Sequence, residues 1–147
     1  MPVIDVTYPA GALSQKAQEA LAAQLTDIIM EVEGTKGIAA IAAGTWLLLH
    51  EAIPNAIAVG GKFSPGRFRV EIATPAGTLN MSQKAEVIRR VTDTVLKIEG
   101  SEPNATQRAR IYCLISEIPD GGWGFAGLAI TREYAEARRR ELEQGHS

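Results

Sequence analysis

The sequence predicts a two-layer α+β fold, in which a four-stranded sheet carries two helices on one face. The first observation is an internal duplication. Pro9-Ala10-Gly11 recurs as Pro75-Ala76-Gly77, 66 residues later. Holding that offset without gaps aligns Leu13 with Leu79, Thr26-Asp27 with Thr92-Asp93, Glu33-Gly34 with Glu99-Gly100, and Glu51 with Glu117. The second observation is that each copy opens on a stretch rich in β-branched and aromatic residues, 3–8 and 68–74, as a strand requires. The third is helical spacing of apolar residues behind each turn: Leu21, Leu25, Ile28, Ile29 and Val32, then Val87, Ile88, Val91, Val95 and Ile98.

The remaining elements follow in order. Ser14 and Asn80 are good N-cap residues, and Asn80 with Gln83 suggests a capping box. Gly34 and Gly100 accept the left-handed geometry that ends a helix. A second strand follows each helix, at 45–50 and 110–116, and the segments "IPNAIAVGG" and "IPDGGWGFAG" read as turns or short hairpins. Each half is thus β-α-β, with two parallel strands joined by a crossover helix. The chain reads as one domain, 1–147, made of repeats 2–62 and 67–128 plus a short C-terminal helix at 130–143. That helix, "ITREYAEARRR" at its start, is a candidate arm for a neighbouring subunit. The sheet face opposite the helices has nothing to cover it, so it is expected to pack against other copies.

Composition narrows the function classes. At 147 residues and a net charge of −2, the chain has no electrostatic footprint for nucleic acid or an anionic membrane. Arg138-Arg139-Arg140, flanked by Glu136, Glu141 and Glu143, reads as a solvated helix face. Cys113 stands alone in an apolar stretch, which excludes an internal disulfide and fits a reducing compartment. The start lacks a basic leader region, and the apolar run 38–49 is too short to span a bilayer, so a cytoplasmic protein is expected. His50-Glu51 has only His146 as a further histidine, and no zinc-ligand spacing exists; hydrogen bonding at an interface is the expected role of His50. Gly60-Gly61-Lys62 lacks the spacing of a phosphate-binding loop.

Three features then converge: Pro2 at the head of the first strand, the duplicated β-α-β unit, and Glu117-Ile118-Pro119-Asp120-Gly121-Gly122-Trp123-Gly124. Together, over residues 2 to 128, they resemble the tautomerase superfamily, to which the macrophage migration inhibitory factor-like proteins also belong. The glutamate and Gly-aromatic-Gly hairpin resemble those of 4-oxalocrotonate tautomerase. Two fused units of this length resemble the cis-3-chloroacrylic acid dehalogenase and malonate semialdehyde decarboxylase subfamilies. The resemblance implies a homotrimer with sheets inside, and a cofactor- and metal-independent enzyme acting on a small carbonyl or keto acid. Its catalytic group would be Pro2, freed by removal of Met1.

An exposed α-amine titrates near about 8, and burial beside cations would lower that value. A neutral Pro2 could then move a proton alpha to a carbonyl as one general base and acid. A protonated Pro2 would instead serve a lyase, decarboxylating or hydrating a small acid. A catalytically silent binding or assembly protein is the third expectation, because the resemblance breaks at the arginines. The turn positions are Ala12 and Thr78, the strand positions before the glutamates are Trp46 and Tyr112, Thr74-Pro75-Ala76 replaces the decarboxylase's arginine pair, and Ile29 replaces the dehalogenase's histidine. The candidates left for substrate binding are Tyr112, Trp123 and Arg110. Phe68 stands where Pro2 does in the second copy, so one active end per chain is expected.

Overall fold

The computed structural model describes residues 1–145; His146 lies outside them. In chain order the elements are β1 (Val3–Pro9), α1 (Gln15–Glu33), α2 (Ala39–Gly44), β2 (Trp46–Ala52), β3 (Ala58–Val59), β4 (Lys62–Phe63) and β5 (Phe68–Pro75). After these come α3 (Met81–Glu99), α4 (Ala105–Arg108), β6 (Ile111–Ile118), β7 (Gly124–Phe125), β8 (Leu128–Ala129) and α5 (Arg132–Gln144). The main sheet has the order β2-β1-β5-β6. β1 pairs parallel with β2, β5 pairs parallel with β6, and the two central strands run antiparallel. The glycine-rich segments form separate small hairpins, β3–β4 and β7–β8.

Alternation puts Ile4, Val6 and Tyr8 of β1 and Phe68, Val70 and Ile72 of β5 on one face, all buried. Leu21, Leu25 and Ile29 of α1, with Val87, Val91 and Val95 of α3, close over them. The cap chemistry is local and present in both copies. Ser14 Oγ accepts from the Ala17 N–H at 3.1 Å, and Gly34 and Gly100 end their helices at φ 73° and 96°. Asn80 and Gln83 form the reciprocal capping box, each side-chain oxygen accepting the other's N–H at 2.8 Å. Asn80→Ala is therefore expected to cost about 1 kcal/mol, read as a lower denaturant midpoint with an unchanged m value.

The strand-end glutamates have a structural task. Glu51 Oε1 accepts from the Gly11 N–H at 2.7 Å, tying the first turn to the end of β2. Glu117 does the same for Gly77 and pairs with Lys84 at 2.9 Å. His50 Nε2 meets Asp5 Oδ1 at 2.6 Å on the sheet face that no helix covers. Trp46, Leu48, Tyr112 and Leu114 lie exposed on that same face, on its two edge strands. No helix among the described residues is long and apolar enough to cross a membrane.

α5, the expected arm, also bonds to its own chain. Thr131 Oγ1 caps it through the Tyr134 N–H, and Asp120 Oδ1 accepts the Arg132 N–H at 2.8 Å. At its far end Arg139 donates to the Glu33 and Gly34 carbonyls, at 3.0 and 3.4 Å. A cation at these carbonyls meets the negative end of α1. That gives the helix a seat within the same chain.

Candidate functional site

The site is built around the chain start. Pro2 is buried, and its carbonyl accepts the Trp46 N–H at 3.2 Å, which anchors the strand entry to β2. Met1 packs against a small cluster of Met30, Ile38 and Ile41, with Leu142 from α5. From there a cleft of about 440 Å³ opens outward. One wall is the Pro75–Thr78 turn, another is the β7–β8 hairpin with Trp123, and α5 bridges them with Arg132, Arg138 and Arg139.

Glu33 is the group at this site that no motif announced. It is 7% exposed and lines the cleft, and its Oε1 has no hydrogen-bond partner among the described residues. Burial raises its carboxyl above the usual range, opposed by the Met1 amine and by Arg139. The amine feels the reciprocal pair of effects. Burial lowers it below the ordinary α-amino value, and Glu33 pulls the other way. Burial is the larger effect, so the Met1 amine is held toward its neutral form.

The named candidates separate in space. Trp123 lines the cleft, and Pro2 is buried behind Met1, which also lines it. Arg110 and Tyr112 lie at the other end of β6: Tyr112 pairs with Arg69, whereas Ser116 pairs with Ala73, the partner of Val3. That separation is about 13 Å along the strand. Tyr112 is 74% exposed on the uncovered sheet face. Arg110 is committed to its own neighbourhood, donating to Gly66 O at 2.6 Å, Gln107 Oε1 at 2.7 Å, Ser101 Oγ and Glu99. The structure does not bring these two residues to Pro2 within one chain. Cys113 is pushed up to about 12 by burial, which keeps it a thiol.

Residues 69–133 match the family model described as "Tautomerase enzyme". A solved member of the cis-3-chloroacrylic acid dehalogenase family superposes with a TM-score of 0.75 at 16% identity, over 97% of this chain and 99% of that one. The chain has the fused tautomerase fold. A fused 4-OT, solved as an asymmetric trimer, superposes with a TM-score of 0.73 at 20% identity, over 86% of this chain and 94% of its own. A third tautomerase-fold structure, inactivated by 2-oxo-3-pentynoate, gives 0.74 at 16% identity, covering 90% and 98%. No curated protein matches the chain by sequence. Within the tautomerase fold, α5 brings arginines to a cleft whose turns carry none.

Proposed function

We propose that the protein is a cofactor-independent tautomerase in which removal of Met1 frees the Pro2 amine as general base. The observation that carries this reading is the burial of Pro2 directly behind Met1, which lines the cleft; the Met1 amine one residue ahead is lowered because desolvation outweighs the Glu33 carboxylate. The neutral amine takes the proton of an enol hydroxyl, and the resulting ammonium returns a proton to the carbon alpha to the new carbonyl. The substrate is a small keto or enol acid. Trp123 forms a wall of its pocket, and the α5 guanidiniums attract its carboxylate. The uncovered sheet face joins three copies, in a reducing, cytoplasmic setting that keeps Cys113 a thiol. The test is ketonisation of phenylpyruvate enol and of the linear 2-oxohexanoate enol by protein whose intact mass shows Met1 gone. Retention of Met1, or the absence of catalysis, overturns the reading.

Glu33 also supports the lyase reading, because a carboxylate near the amine favours its protonated form. Glu33→Gln separates the two. Without that carboxylate the ammonium loses its stabilising charge, so the amine's pKa falls further and the neutral base persists to lower pH. For a tautomerase the ascending limb of kcat/KM should therefore shift to lower pH. For a lyase that needs protonated Pro2, the descending limb should shift instead.

A further inference from the structure

The duplication makes each half a control for the other. At the constant offset Pro2 aligns with Phe68, Glu33 with Glu99, and Gly44 with Arg110. In the second half the space is filled. Phe68 is 2% exposed, and the Arg110 side chain reaches across to Glu99 and to the Gly66 carbonyl. In the first half position 44 has no side chain, and Glu33 Oε1 lacks a hydrogen-bond partner among the described residues. Met1 occupies the opening. Its side chain packs on Met30, Ile38 and Ile41, and a Cβ placed on Gly44 would overlap its sulfur.

Met1 is bonded to the Pro2 nitrogen, so the space it vacates on removal is by covalent necessity continuous with that nitrogen. A ligand filling it touches the amine. We infer that this vacated space is a substrate pocket for an unbranched apolar chain of about four heavy atoms, methionine's own length and shape. The chain runs along the face of α2 that carries Ile41 and Gly44, and its carboxylate turns to the part of the cleft lined by Arg138 and Arg139, which pair in the same helix with Glu141 and Glu143. The substrate class is thus a 2-oxo acid, or its enol, with a linear aliphatic or thioether tail. Branching is disfavoured because Ile38, Ile41 and Gly44 lie along one side of α2 and the Met1 chain already packs directly on them. This inference rests on the reading of Pro2 given above and adds the substrate's shape.

The test uses non-reacting carboxylates on Met1-free protein: acetate, butanoate, hexanoate and the branched 3,3-dimethylbutanoate, titrated by calorimetry. In the wild type, affinity should rise about fourfold per methylene up to hexanoate, with the branched acid at least about tenfold weaker than hexanoate. Gly44→Ala puts a methyl in the pocket at a position with no left-handed backbone requirement. It should flatten the series beyond butanoate, with an unchanged circular-dichroism spectrum. A flat wild-type series overturns the pocket, as does a Gly44→Ala series that still climbs to hexanoate. Absence of ketonisation of the linear 2-oxohexanoate enol, with the climbing series intact, overturns the catalytic reading alone.

Discussion

Pro2→Ala, freed of Met1, is expected to ketonise phenylpyruvate enol about 10²–10⁴-fold more slowly than the wild type, the range one positioned general base contributes. The alanine amine is primary and turns freely about its bond to the chain, whereas the pyrrolidine ring fixes where the nitrogen's lone pair points. The Trp123 wall and the α5 arginines are untouched, so the loss should fall on kcat with KM nearly constant. A wild-type chain with a residue left ahead of Pro2 should be equally inactive, because its nitrogen is then an amide. Equal rates for Pro2→Ala and wild type would remove this nitrogen from the mechanism.

Leu114→Arg is expected to turn a trimer into monomers, with the light-scattering mass falling to one third. Leu114 is 40% exposed and Trp46 58% exposed, on opposite edge strands of the face that no helix covers. The central strands of that face are polar: Asp5 of β1 pairs with His50 of the neighbouring edge strand, and Arg69 pairs with Glu71 within β5. The apolar area is therefore concentrated at the edges, where a neighbouring copy would continue the sheet. An arginine there would be desolvated in the interface without a partner charge, at a cost of several kcal/mol. The monomer should keep its circular-dichroism spectrum, because Leu114 is outside the core cluster. A wild-type protein that is already monomeric, or a variant that stays assembled, would refute the role of this face.

The repeated architecture was legible because its signals are local. α1 and α3 are separated by the same 66 residues at both ends, and their caps are the ones that Ser14, Asn80, Gly34 and Gly100 announce. The short helix α2 was not legible: its residues, AAIAAG, carry no amphipathic period, and its N-cap is Ile38 with no side-chain bond. The site was half legible. Trp123 stood out among glycines, but Glu33 and Arg139 meet across 106 positions that no window spans. The triplet 138–140 looked solvated because each arginine has a glutamate a turn away, and Arg139 does pair with Glu143. One signal for Glu33 was available. It is an acid at the negative end of a helix, and its counterpart Glu99 meets Arg110 whereas its own half offers Gly44.

The packing of Met1 also sets a deadline. An aminopeptidase needs the terminus extended and free, yet here the Met1 side chain packs on Met30, Ile38 and Ile41, the cluster that Leu142 of α5 also packs against. Trimming is therefore expected to run faster before the fold draws Met1 against that cluster than after it. A chain that folds first keeps its methionine half-buried against that cluster, so the active fraction of a preparation should depend on how fast trimming runs relative to folding.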